Sequence, residues 1–324
     1  MSVMEKLRAG GPVLVIGRVG MDLFTDPGGA VESCTGLTAD MGGSSANIAA
    51  GIVKLGGAAS LVTCVSDDAV GRFCTNRLTD YGVGTEYIRV TGGEARTSLA
   101  LYETRVEDHQ SVIYRNGAAD FEMSVADVEA VDLSGFTALV TAGTVFAAEP
   151  SRGAAFRAFE LARDAGLPIV FDVDYRPYSW PSPEVAEEVL SRAGGLADVI
   201  VANDEEFGFM AGGIDRGLAK ARALAEGSAT LVVYKMGPEG AVTFVDGQET
   251  RTGIYAVDAL KPTGAGDSFM AGLLTGLAQG LETGDAVLRG SACAAIVVGR
   301  PGCAPAMPTP ADLDAFLARH PGPA

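Results

Sequence analysis

Lys261-Pro262-Thr263-Gly264-Ala265-Gly266-Asp267-Ser268-Phe269 is the stretch on which the reading of this chain turns. Upstream, Thr252 to Val257 reads as a strand; downstream, Met270, Ala271, Leu273, Leu274 and Leu277 recur at helical spacing. A glycine-rich turn feeding a helix aims unpaired backbone N–H groups and the positive end of the helix dipole at one point. Glycine lets an anion approach backbone that a Cβ would shield. Asp267 is a poor anion ligand in such a turn. A more economical role is to take a proton from a hydroxyl while the N–H groups hold a phosphoryl group in transfer. The same residues also fit a capped helix start with Asp267 as cap, so the rest of the chain has to decide.

Before the turn, apolar runs and helical patterns alternate. Val13-Leu14-Val15-Ile16-Gly17 reads as the opening strand of a buried parallel sheet, with Asp22 shortly beyond its carboxyl end, where such sheets carry ligands. Gly42-Gly43-Ser44-Ser45-Ala46-Asn47 leads into a small-residue helix, and Asn47 offers both donor and acceptor to a polyol. Close helix packing would also explain Ala49, Ala50 and Gly51. Leu61–Val65 reads as a strand and Asp68–Tyr81 as an amphipathic helix. Tyr87–Val90, Thr97–Arg105 and Ser111–Tyr114 alternate polar and apolar residues around turns at Gly92-Gly93 and Glu107-Asp108, which predicts antiparallel strands with one wet face. Inserted in a βα chain, they read as a lid that shields a reaction from water. From Leu139 onward, strands at Leu139–Thr141, Ile169–Val173, Val199–Ala202 and Leu231–Tyr234 alternate with helices, the pattern of a mostly parallel sheet wrapped on both faces.

Composition narrows the function. A chain of 324 residues, 48% hydrophobic, can bury a large α/β core. Its net charge of −17 argues against nucleic acid and anionic membranes as partners. An anionic substrate must therefore be met by local Arg, Lys, Mg²⁺ or backbone N–H groups. The five cysteines have no metal-like spacing and read as free thiols of a reducing compartment. Met1–Gly11 has no signal-peptide pattern and no apolar run reaches membrane-spanning length, so a cytoplasmic location is expected. Two histidines, His109 and His320, leave little room for His-centred chemistry.

Two glycine motifs in this order, an inserted β lid and a strand–turn–helix ending in Gly-Ala-Gly-Asp resemble the ribokinase-like (PfkB) carbohydrate kinases over roughly Val13 to Phe316. The resemblance implies an α/β three-layer sandwich with a mostly parallel central sheet flanked by helices, plus a small β-sheet lid. It would be one domain, 1–324, with lid strands from about 18–41 and 86–115. It implies ATP and Mg²⁺, with Asp267 as base and Gly264, Ala265 and Gly266 as the anion hole. Asp22, Gly42, Gly43 and Asn47 would hold sugar hydroxyls. Asn203, Lys235, Gly237, Gly240, Thr263 and Ser291 would contact nucleotide, and Glu206 would organise Mg²⁺, through water. Asn203 to Glu206 also fits a capped acidic helix start. A dimer through the lid is implied too.

Phe171-Asp172-Val173-Asp174-Tyr175-Arg176-Pro177 resembles the segment of members that act on sugar acids, with Arg176 holding the substrate carboxylate in a bidentate pair. Arg115, at the end of the lid, would add a second positive contact. Surface ion pairs are the alternative for both. With Gly17-Arg18-Val19-Gly20-Met21-Asp22 and Pro301 to Pro308, the chain looks most like members acting on a keto-deoxy sugar acid of inositol catabolism; 2-keto-3-deoxygluconate, fructose and ribose kinases stand as alternatives. A non-catalytic sugar-binding regulator is the rival from another class. Many relatives place an Asp that binds K⁺ where this chain has Lys261, and a serine where it has Ala306. The expectation is that K⁺ is not required.

Overall fold

The computed structural model describes residues 1–323. Thirteen strands divide into two sheets. They are β1 (Val13–Ile16), β2 (Gly20–Phe24), β3 (Thr38–Gly42), β4 (Ala59–Ser66), β5 (Ile88–Thr91), β6 (Ser98–Tyr102) and β7 (Ser111–Tyr114). Then follow β8 (Ala138–Ala142), β9 (Ile169–Asp172), β10 (Val199–Asn203), β11 (Leu231–Lys235), β12 (Ala241–Val245) and β13 (Gln248–Thr252). The large sheet has nine strands in the order β13-β12-β11-β10-β9-β8-β1-β4-β5. It is parallel from β11 to β5, and β12 is antiparallel to both its neighbours.

Strand periodicity builds the three layers. In β1, Val13 and Val15 face one core while Leu14 and Ile16 face the other; in β10, Val199 and Val201 part from Ile200 and Ala202 in the same way. Helices Ser44–Lys54, Ala265–Ala278 and Thr283–Val298 cover the first face. Helices Ser151–Asp164, Pro183–Leu196 and Asp204–Met210 cover the second, where Phe146 meets Phe156, Phe159 and Phe171 edge-on or tilted. Burying each such side chain contributes about 1.5–3 kcal/mol, so a run apolar on both faces is stable only between two layers.

The small sheet, β3-β2-β6-β7, stands apart as expected of a lid, but with different membership. Tyr87–Val90 does not belong to it: Ile88–Thr91 forms β5, parallel to β4 at the edge of the main sheet. The lid therefore draws only on the later part of 86–115. The run Thr252–Val257 is also not a strand. Thr252 closes β13, which turns back from β12 through Asp246-Gly247, and residues 253–260 are irregular. Among the described residues no helix is long and apolar enough to cross a membrane.

Close helix packing brings the distant glycine motifs together. The helix Ser44–Lys54 lies so near Ala265–Ala278 that a Cβ on Gly51 would stand 2.7 Å from Ala271 Cβ. The first turns of both helices then open at the carboxyl ends of the parallel strands. There β1 has β4 on one side and β8 on the other, a reversal of strand order that leaves a crevice.

Candidate active site

At the head of the helix Ala265–Ala278, Gly264 occupies the cap position with φ +85°, a left-handed conformation that a side chain would strain. Asp267 is not the cap. It lies in the first turn, and its Oδ2 accepts from Asn47 Nδ2 at 2.8 Å. The aspartate is thus aimed by the other glycine motif, across 220 residues of chain. Burial, then the charge of Asp174, pushes the Asp267 carboxyl up to about 6, against the pull of Asn47, Arg176 and Lys235.

Asp267 sits in a cleft of about 810 Å³. The same cleft is lined by Asp22, Gly43, Asn47 and Arg176, by Asn203, Glu206, Lys235, Gly237, Gly240 and Ser291, and by Thr263, Gly264, Ala265 and Gly266. The structure therefore brings nearly all the predicted site residues to one place. His109 and Ser111 also reach this cleft, so the lid overlies it.

Two predicted contacts lie elsewhere. Gly42 does not line the cleft; it stands behind Asp22, and a Cβ there would sit 1.9 Å from Asp22 Oδ2. Its missing side chain is the space Asp22 occupies. Arg115 is likewise absent from the cleft wall. It is buried against Asp120, donates to Thr144 O at 2.9 Å, and stacks 4.1 Å above the Phe121 ring. It pins the end of the lid to the body rather than facing a substrate.

The ends of β10 and β11 set Asn203 and Lys235 in register at the cleft. Lys235 Nζ lies 5.5 Å from the Phe269 ring centroid and 3.5 Å from where a side chain on Gly266 would begin, so its charge is delivered to the glycine turn. Asn203 and Glu206 form a reciprocal capping box, Oδ1 accepting from Glu206 N at 2.8 Å and Oε2 from Asn203 N at 2.9 Å. Glu206 Oε1 also accepts from Tyr175 N at 3.3 Å. Burial raises the Glu206 carboxyl, and nearby Lys235 opposes the shift. Capped helix start and cleft residue are one and the same here.

Sequence reasoning misses Asp172, Asp174, Arg18 and Tyr102, all of which line the cleft. Asp172 and Asp174 belong to the motif that singles out Arg176. Asp174 holds φ +35°, accepts from Ser44 Oγ, and pairs with Arg176 Nη2 at 2.8 Å. Burial drives Asp172 up to about 8. The available signal for Arg18 is its place four residues before Asp22. Burial likewise lifts Asp22 to about 7, with Arg18 opposing. A base held by an amide, an amide turn beside a lysine, and carboxylates able to grip hydroxyls together suit phosphoryl transfer to an alcohol.

Comparison with known proteins agrees. The model described as pfkB family carbohydrate kinase matches residues 12–310. A 5-dehydro-2-deoxygluconokinase of Photobacterium profundum is 36% identical over 310 residues, covering 94% of each chain. The 5-dehydro-2-deoxygluconokinase 1 of Bacillus cereus is 36% identical over 312 residues, again 94% of each. Among solved structures, a fructokinase double mutant from Vibrio cholerae O395, in fructose, ADP and potassium ion bound form, superposes with TM-score 0.84 at 27% identity, over 96% of this chain and 99% of that one. An aminoimidazole riboside kinase from Salmonella enterica, complexed with aminoimidazole riboside and an ATP analog, gives 0.81 at 24% identity, over 95% and 100%, a likeness of fold.

Proposed function

The chain belongs to the pfkB family of carbohydrate kinases, and from that premise we propose that it transfers the γ-phosphoryl group of ATP to the primary hydroxyl of a sugar acid, 5-dehydro-2-deoxy-D-gluconate, giving the 6-phosphate and ADP. The observation that carries the reading is a single cleft holding both Asp267, set in an amide turn, and guanidinium groups, Arg18 and Arg176, able to meet an acid. The relatives at 36% identity that bear the name of this reaction support the choice of acid.

In this reading the alcohol binds with its proton toward Asp267 Oδ1, because Oδ2 is already held by Asn47. Asp267 takes the proton as the oxygen attacks in line. The amides of Gly264, Ala265 and Gly266 face the developing phosphoryl charge, and Lys235 reinforces them. Glu206 fits a hydrated Mg²⁺: both its oxygens are oriented by backbone N–H groups, yet it still reaches the cleft. When bound, such an ion neutralises phosphate charge. Gly237, Gly240 and Ser291 would border the base of the nucleotide. Gly42 acts through Asp22, and Asp22 and Gly43 would meet the sugar hydroxyls.

Three finer points belong to the same reading. Lys261 stands in for a monovalent cation. The enzyme works in inositol catabolism in the cytoplasm, where buried thiols such as Cys64, Cys74, Cys293 and Cys303 stay reduced. It pairs into a homodimer through the lid, whose β7 edge exposes Val112 and Tyr114; sedimentation at micromolar concentration should give twice the chain mass, and a monomer would remove this point.

The test is ADP release across a panel of sugar acids and neutral sugars. The expected result is a kcat/KM for 5-dehydro-2-deoxygluconate at least about 10²-fold above that for fructose or ribose. A preference for a neutral hexose would redirect the assignment, and no turnover with any sugar would favour a non-catalytic binder.

A further inference from the structure

Arg18 stands in the turn between β1 and β2, four residues before Asp22, and both side chains reach the cleft. It is only 5% exposed. Its Nε donates to Ser98 Oγ at 3.0 Å, which fixes the guanidinium plane from β6 of the lid. Its Nη2 is buried and, among the described residues, has no acceptor. Asp22, 1% exposed, repeats the situation with the opposite sign: Oδ1 is buried and, among the described residues, has no donor.

Native proteins seldom leave a buried charged donor unmatched, because desolvation is not returned by any partner. Here a guanidinium and a carboxylate that both line one cleft each keep a buried polar atom without a partner among the described residues. Together they are the negative image of a hydroxy acid, with a hydroxyl for Asp22 and an anionic oxygen for Arg18. The other guanidinium groups nearby are placed differently: Arg115 keeps Nε and Nη1 unpartnered among the described residues but lies outside the cleft wall, against Asp120, and Arg176 is tied to Asp174 at 2.8 Å with its side chain 52% exposed. Lys235, the remaining cation of the cleft, is directed to the glycine turn. A carboxylate bound by Arg176 must compete with Asp174 and with water. One bound by Arg18 meets a dry, pre-oriented fork with a free N–H.

We propose that Arg18 is the specificity-determining residue of this kinase: Nη2 receives the carboxylate of the sugar acid while Asp22 takes a neighbouring hydroxyl, leaving the primary alcohol to be presented to Asp267. The inference rests on the sugar-acid reading above and assigns the acid end to the buried Arg18 instead of to Arg176, which lines the same cleft but is half exposed and paired with Asp174.

The experiment compares kcat/KM for 5-dehydro-2-deoxygluconate with that for fructose in wild type, Arg18→Met, Arg18→Lys and Arg176→Ala. In Arg18→Met the acid-to-neutral ratio should fall by about 10²-fold or more, chiefly through KM. Arg18→Lys, which keeps the charge but not the fork, should recover part of it. Arg176→Ala should lower the ratio less than Arg18→Met does. Thermal stabilisation by an ATP analogue serves as the folding check. Should Arg18→Met fail it, Arg18→Lys decides: a ratio about tenfold below wild type supports the assignment and an unchanged one overturns it. A wild type that prefers fructose overturns the sugar-acid reading and this inference with it. An acid-preferring wild type whose ratio survives in folded Arg18→Met overturns the inference alone.

Discussion

At Asp267 two opposing effects meet. Burial and the charge of Asp174 raise the carboxyl to about 6, while the Asn47 amide and the charges of Arg176 and Lys235 restrain it. The balance leaves a carboxylate ionised at neutral pH yet more basic than an ordinary one, which suits the proton removal from an alcohol proposed for it. Replacing it by Asn keeps an oxygen that accepts from Asn47 and removes only the basicity. Asp267→Asn should therefore lower kcat by about 10²–10⁴-fold with KM for the sugar acid little changed. Steady-state kinetics checks this, and near-normal turnover would remove Asp267 from its role. The sign with pH follows: the working form is the anion, so kcat/KM falls as pH drops. Because Asp22 protonates near 7, before Asp267, the decline should begin about there in wild type and retreat toward about 6 in Asp22→Asn.

The turn before the helix Ala265–Ala278 is held by a cation supplied within the chain. Lys261, 1% exposed, donates from Nζ to Thr263 O at 2.6 Å and to Val297 O at 3.3 Å, tying the glycine turn to the end of the neighbouring helix. Burial lowers the ammonium's proton affinity, and nearby Cys303, Asp267 and Asp22 act against that. Replacing K⁺ by tetramethylammonium at constant ionic strength should change wild-type kcat by less than about twofold, and a many-fold loss restored by K⁺ would rule out the lysine's role. A misplacement of about 1 Å at a reacting centre can cost about 10²-fold, so Lys261→Met, which unties this turn, should lose about 10–100-fold in kcat. At this scale much is legible in the sequence. The alternation from β8 to β11 shows because strands covered on both faces are apolar throughout, and helix starts announce themselves at Ser182-Pro183, Asn203 and Thr309. What is not legible is pairing between distant segments. The alternation in Tyr87–Val90 is the same whether it joins the lid or the edge of β4, and only the neighbouring strand decides. Asp246-Gly247 does signal the β12–β13 hairpin, and that turn is enough to end the strand at Thr252. Arg18 is visible as a residue but not as a buried cation of the cleft, since that depends on the fold placing it against Ser98 and beside Asp22.

Across the whole molecule the cleft is a place where acidity is concentrated against the interests of stability. The chain carries a net charge of −17, and Asp22, Asp172, Asp174, Glu206 and Asp267 all reach one cavity. Asp22, Asp172 and Asp267 are raised to about 7, 8 and 6 in the folded chain from ordinary values near 4. Between about pH 4 and 8 the folded state therefore holds more protons than the unfolded one, and stability falls as pH rises through that window. Asp172 is shifted furthest, mainly by burial and against the attraction of Lys235. Its Oδ1 accepts from Asp174 N at 3.2 Å, a bond that an amide oxygen can keep. Asp172→Asn should accordingly raise the melting temperature by about 2–4 °C at about pH 8, roughly the response of a domain to 1 kcal/mol. The gain should shrink toward zero at about pH 4 and below, where the unfolded chain's carboxyl takes up its proton as well and the two states no longer differ. Activity should fall in the same variant, because Asp172 Oδ2 lies 4.0 Å from where a side chain on Gly266 would begin, beside the turn proposed to hold the phosphoryl group. Calorimetry of the ligand-free protein at both pH values separates the cases: an equal gain at the two would trace the effect to packing, and only a gain confined to high pH belongs to the carboxylate's charge.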